Sequence, residues 1–251
     1  MLALAESNVR FRIFIALMIV VVSGVVIQRE FGNNLYIFYR QNIRDPGTIQ
    51  KYLTTEPVKK LQLGAGGNNA EGWLNSDIEP QDGQIYLDIT TKYPFADGSF
   101  QYIFAEHVIE HVPWEGGLKM LRECFRVLGT RGKVRVETPD FMKFFYILSN
   151  KDDPEVKRFI AAGHYAFDWP DTPVGPAYAV NRSVRDWGHQ FIYDADTLRR
   201  TFELAGFKNI RQVAMEEKTD PIFEKVKLRK QLLGDLWIIN QTAAMAFEAI
   251  K

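Results

Sequence analysis

Residues 60–77 read KLQLGAGGNNAEGWLNSD. Lys60-Leu61-Gln62-Leu63 is a short strand candidate that breaks directly into Gly64-Ala65-Gly66-Gly67-Asn68-Asn69, and Trp73 to Asp77 is a second strand ending in an acid. Glycine lets the backbone turn tightly and lets a ligand approach main-chain N–H groups. A carboxylate at the tip of the second strand is where nucleotide-binding α/β folds hold ribose hydroxyls. Alone, the glycines fit an ordinary loop equally well. The acid that follows them is what points to a ligand.

The elements beyond this stretch extend the pattern. Ile85 to Asp88 reads as a third strand, again ending in an acid, and Phe100 to Phe104 as a fourth, after the turn-rich Phe95-Ala96-Asp97-Gly98-Ser99. Glu115 to Leu128 has helical period, with Leu118, Leu121, Cys124, Phe125 and Leu128 on one face, Pro113 at its entry and Gly129 at its exit. Lys133 to Thr138 (KVRVET) is a fifth strand, although Arg135 and Glu137 are unusual where both faces should be buried. Asp194 to Gly206 is a helix capped by Asp194 and closed by Gly206, followed by a strand from Phe207 to Val213. Ala243 to Ile250 (AAMAFEAI) reads as the last strand, with a helix nearly as compatible.

Strands alternating with helices predict an α/β, Rossmann-like, mostly parallel sheet with helices on both faces. Ligands sit at the carboxyl ends of such strands. Gly64, Asp77, Asp88, Ala105 to His107 and Asp140 all fall there.

The runs KLQLGAGGNNAEGWLNSDI, LDITTKYPFADGSFQYIFAEHVIEHV and LRECFRVLGTRGKVRVETPDF resemble a class I S-adenosylmethionine-dependent methyltransferase of the type 11 branch. The likeness spans Pro57 to Phe141 and continues more loosely through GHQFIYDADTLRRTFELAGF. It implies S-adenosyl-L-methionine as cofactor, with Gly64, Ala65 and Gly66 lining its methionine part. It also implies Asp77 on the ribose hydroxyls, Asp88 with Ile89 beside the adenine, and Ala105 to His107 near the sulfonium. The short interval from Gly64 to Asp77 and the Asn68-Asn69 pair depart from most class I enzymes, and the type 11 branch shares the compression. That branch is often found near surface-polysaccharide genes, so the resemblance implies a small-molecule or glycan acceptor.

Methyl transfer to an oxygen is helped by a base that removes the acceptor proton. His107 is the first candidate, followed by Glu106, His111 and His189; each also fits a capping or hydrogen-bonding role. A dinucleotide-dependent oxidoreductase would want a third glycine at Asn69, an intact first helix and an acid about twenty residues on, none of which is present. His107-Val108-Ile109-Glu110-His111 is a literal H-x-x-E-H, the inverted zinc-peptidase motif. Pro113 denies it the helix it needs, so no metal is expected. A non-catalytic, membrane-tethered cofactor-binding scaffold remains an alternative.

Ile13 to Ile27 (IFIALMIVVVSGVVI) carries no charge and only one polar residue, Ser23. Its helical length of about 22 Å falls short of a hydrocarbon layer of roughly 30 Å, and Val9, Phe11 and the flanking arginines extend it. Residues 1–30 are therefore expected as an N-terminal hydrophobic helix that attaches the chain to a membrane through residues 9–30. The alternatives are a cleaved signal peptide and a buried helix of a soluble cytoplasmic protein. Arg29, Arg40, Arg44 and Lys51 favour a cytoplasmic catalytic domain. Residues 31–56, polar with Pro46-Gly47, read as a connector, and 57–251 as the domain.

Residues 151–188 are too long for a connection and too aromatic for a linker. They are expected as an insertion acting as a lid, with Trp169, Tyr178 and Trp187 as platforms for a ring substrate, or equally as an insertion packed on the sheet edge. Lys225 to Lys230 is a basic run, read as a solvated helix face. In the 251 residues, Lys+Arg and Asp+Glu each number 31, so no chain-wide attraction to nucleic acid is expected. The single Cys124 excludes an internal disulfide.

Overall fold

The computed structural model describes residues 32–166, 174–226 and 234–251. Seven strands form one sheet: β1 (Lys60–Leu63), β2 (Leu74–Asp77), β3 (Ile85–Tyr86), β4 (Phe100–Glu106), β5 (Leu128–Pro139), β6 (Asn209–Val213) and β7 (Ala244–Ile250). Their spatial order is β3-β2-β1-β4-β5-β7-β6. The first five strands pair in parallel, and β7 is inserted antiparallel between β5 and β6. Ala243 to Ile250 is thus a strand, apart from its first residue. An antiparallel partner on each side leaves its main chain no reason to close on itself.

Period-two alternation gives the sheet two different faces. Leu61, Leu63, Ile103, Ala105, Val134, Val136, Phe247 and Ala249 belong to one apolar cluster. It is covered by α2 (Trp114–Val127), by α6 (Ala195–Ala205) and by Ile49, Tyr52 and Leu53 of α1 (Asp45–Thr55). Asp194 caps α6, accepting from Thr197 N at 2.7 Å, and Gly206 ends it at φ 111°.

The opposite face carries Phe104, Tyr102, Lys133, Arg135, Glu137 and Glu248, and is closed by α7 (Pro221–Val226) and the turn Gly234–Trp237. The closure is partly ionic. Arg135, with no exposed side-chain surface, donates from Nε to Glu137 Oε1 at 2.6 Å and from Nη1 to Glu248 Oε1 at 2.7 Å. Lys133 Nζ meets Asp220 Oδ2 at 2.7 Å. These pairs account for Arg135 and Glu137 in a strand covered on both sides. Burial works against the Arg135 charge, and the two carboxylates outweigh it and hold its pKa above the ordinary value.

The chain divides into two units, 1–48 and 49–251. Within the first, residues 32–39 are helical and Arg40 is paired with Asp45 at 3.1 Å, both buried. The expected connector is therefore largely helical. In the second unit Tyr52 OH donates to Lys60 O at 2.8 Å, fixing residues 49–55 to the start of β1. The anchor expected over residues 13–27, Trp169 and most of the basic run lie outside the described residues. Among the described residues no helix is long and apolar enough to cross a membrane.

The expected insertion forms α4 (Pro154–Ala166), α5 (Pro176–Arg185) and the turn Asp186–Gly188. With α3 (Phe141–Ser149) and α8 (Ile238–Ala243) it builds a second apolar cluster around Phe144, Ile147, Val156, Phe159 and Val180. Tyr178 and Trp187 line a hollow there, with Phe159, Ile160 and Ile239.

Candidate active site

Strands β3, β2, β1 and β4 are neighbours and end at one edge of the sheet, because all four are parallel. Between β1 and β2 there is no helix, only turns, as the short Gly64–Asp77 interval implies. Gly64 sits at φ 58° and a Cβ there would overlap Val108 Cγ2, so both conformation and space require glycine. Gly66 sits at φ 53°, and an added Cβ would meet nothing within 4 Å, so this turn presents open main chain.

Asp77, half-buried, braces that turn. Its Oδ2 accepts from Gly66 N at 2.8 Å and its Oδ1 from Glu79 N at 2.9 Å. Ala65 N donates to Ser76 O at 2.9 Å. Buried Gln84 adds a second brace, donating from Nε2 to Gly66 O at 2.6 Å and to Asn69 Oδ1 at 2.8 Å. Asp88, half-buried one strand over, accepts from Thr90 N at 2.8 Å and Thr90 Oγ1 at 2.7 Å. Ile89 beside it and Ala105 at the end of β4 are buried. A backbone cradle flanked by two fixed carboxylates and apolar walls fits an amino-acid-bearing nucleoside such as S-adenosyl-L-methionine.

The β4 turn carries the histidines. His107 is held at φ 53°, a left-handed conformation costly for a residue with a side chain, and its N–H donates to Glu137 O at 2.9 Å. Its Nδ1 bonds Glu110 Oε1 at 2.9 Å, and its Nε2 is buried without a hydrogen-bond partner among the described residues. Glu110, with no exposed side-chain surface, also accepts from Thr138 Oγ1 at 3.0 Å. His189, the first residue after the insertion, brings Nε2 to 4.0 Å from Glu110 Oε1, and its ring meets that of His111 edge-on at 4.8 Å. Burial pushes the Glu110 carboxyl up, but the His107 bond and charge outweigh it and hold the group below the ordinary range. Burial lowers the His189 imidazole.

Three expected residues, His107, His111 and His189, are therefore gathered around one carboxylate. Glu106 is not among them: it is buried, and alternation along β4 turns it to the face of Phe104, beside Glu137. Asp140 caps α3, its Oδ1 accepting from Met142 N at 2.9 Å. The H-x-x-E-H stretch forms only a single tight turn, Ile109–His111, and pairs His107 with Glu110 instead of lining both histidines on a helix. Glu110 and Thr138 were not among the expected site residues. Glu110 is visible in the sequence only within the H-x-x-E-H motif, and Thr138 carries no signal.

Residues 73–136 match the family model described as a methyltransferase domain. Over that stretch the chain carries a methyltransferase domain. The match begins just before β2, so the glycine turn lies on its N-terminal side. No curated protein matches the sequence. Among solved structures, an S-adenosylmethionine-dependent methyltransferase from Archaeoglobus fulgidus is similar at 14% identity and TM-score 0.45, over 86% of this chain and 98% of that one. One from Aquifex aeolicus is similar at 13% and 0.39, over 84% and 92%. A phosphoethanolamine N-methyltransferase from Haemonchus contortus is similar at 15% and 0.41, over 86% and 55%.

Proposed function

We propose that the chain methylates an oxygen acceptor, a sugar hydroxyl of a surface glycan, with His107 as general base. The observation that carries this reading is His107, its backbone held in a left-handed conformation and its ring half-buried: Nδ1 is pinned by Glu110 and Nε2 is left for an incoming proton. Gly64, Ala65 and Gly66 would hold the cofactor through main chain, Asp77 its hydroxyls, Asp88 and Ile89 its adenine, and Ala105 would lie beside its sulfonium. When bound, the cofactor supplies a methyl group already activated by a sulfonium.

The chain's own work is alignment, exclusion of water and proton removal. Val108 and Ala105 keep the β4 edge apolar. Nε2 of His107 takes the hydroxyl proton, and the Glu110 carboxylate balances the positive charge that develops on the ring. Glu106, His111 and His189 stand behind His107 in this role, Glu106 because it turns to the other face. The insertion, 151–188, covers the acceptor as a lid, its Tyr178 and Trp187 offering ring platforms. Residues 9–30 attach the chain to a membrane with the catalytic domain, 57–251, on the cytoplasmic side; residues 49–56 belong with that domain.

The test is transfer of labelled methyl from S-adenosylmethionine by the full chain to a panel of nucleotide sugars and polyprenyl-linked sugars. Label recovered in a sugar methyl ether is expected, with His107→Gln slowing transfer 100-fold or more while cofactor affinity stays within about threefold. Label on nitrogen or carboxyl groups only, or an unaffected His107→Gln, would contradict the proposal.

A further inference from the structure

The other two imidazoles at Glu110 pose a separate problem of hydrogen-bond accounting. His189 Nδ1 lies 2.8 Å from Ser183 O, and a carbonyl only accepts, so Nδ1 carries the proton. In the neutral ring Nε2 is then a lone pair. It faces Glu110 Oε1, itself an acceptor, at 4.0 Å. A protonated ring does not resolve this, since 4.0 Å is beyond hydrogen-bond reach. The ligand atoms of Glu110, His111 and His189 all lie within 4.8 Å of one another.

Two facing acceptors, the Glu110 carboxylate and the His189 Nε2, with the His111 imidazole as a third ligand close by, make the donor arrangement of a cation site. Ligands about 2.1 Å from a shared tetrahedral ion stand roughly 3.4 Å apart, so little closure is needed. The surrounding bonds are those that orient metal ligands: Ser183 O fixes the His189 tautomer, while His107 Nδ1 and Thr138 Oγ1 hold the carboxylate. The two chain segments are also tied together by bonds to main-chain carbonyls. Gln190 N and Phe191 N donate to Glu110 O at 2.7 and 3.2 Å, and Gln190 Nε2 donates to His111 O at 2.8 Å.

We propose that Glu110, His111 and His189 bind one divalent first-row transition-metal ion. Two imidazoles and a carboxylate suit zinc, cobalt, nickel or iron(II), and not magnesium or calcium, which prefer all-oxygen shells. The ion clamps the end of the insertion onto the β4 turn. It is not the peptidase site that the H-x-x-E-H letters suggest, because His107 is the orienting partner and His189 supplies the ligand. The proposal does not rest on methyl transfer.

The test uses the metal-stripped full chain, titrated with zinc by calorimetry and with cobalt by visible absorption. One equivalent is expected, with cobalt bands of imidazole coordination. Of the chain's 4 histidines, only His164 lies outside the cluster. His164→Gln should bind as the parent does, while His111→Gln and His189→Gln each weaken binding 100-fold or more. Thr138→Val, which touches no ion, should weaken it about tenfold. Circular dichroism checks that each variant is folded. Absence of stoichiometric binding by the parent, equal binding by the His111 and His189 variants, or loss of binding in His164→Gln would overturn the proposal. The parent and His164→Gln results decide it even where another variant fails to fold.

Discussion

Replacing Arg135 by methionine is expected to lower the folding free energy by about 3–5 kcal/mol, because it strands two carboxylates in the interior. Glu137 has no exposed side-chain surface and Glu248 only 14%, and both meet the guanidinium. Thr219 Oγ1 also donates to Glu248, and it cannot replace a full charge. Methionine fills most of the volume, so the loss reports charge and not a cavity. Removing the acids together with the base should recover most of it, since a well-packed apolar substitute for a buried ion network is close to neutral. Urea unfolding of Arg135→Met and of Arg135→Met/Glu137→Leu/Glu248→Leu measures both. A loss below 1 kcal/mol in the single variant, or a triple variant no better than the single, would show that the network does not close this face.

Gly64→Ala is the second large effect, at about 2–5 kcal/mol. A residue with a side chain pays roughly 1–2 kcal/mol to hold φ 58°, and forcing a methyl against Val108 adds about 1–3 kcal/mol. Gly66→Ala isolates the first cost, since its φ is 53° and nothing lies within 4 Å of the added carbon. The second cost is separable by a double-mutant cycle with Val108→Ala, which clears the overlapping methyl groups. The cycle should return a favourable coupling of 1 kcal/mol or more. Equal losses for Gly64→Ala and Gly66→Ala would contradict the close approach of the β1 and β4 turns.

What could be read from the chain beforehand followed local rules. The glycine turn, the acids after β2 and β3, the α6 caps and the parallel order each rest on a few adjacent residues whose chemistry leaves one geometry. Even β7, ambiguous from its letters, stood where a strand was expected. The unread parts depend on distant partners. Arg135 looked misplaced because Glu248 lies 113 positions away. His189 reaches Glu110 only after the insertion folds into α4 and α5, and no spacing announces that. Glu110 itself was in plain view, but H-x-x-E-H invites a helical reading. The His107–Glu110 pair forms because Pro113 prevents that helix and the chain turns tightly instead.

The central claim is that the β-strand edge from Gly64 to Ala105 holds S-adenosylmethionine, and calorimetric titration of that compound into the full chain tests it most directly. Saturable binding is expected, weakened at least tenfold by Asp77→Ala in a variant whose circular dichroism is unchanged. Absence of binding by the folded chain, or equal affinity in Asp77→Ala, would contradict the account.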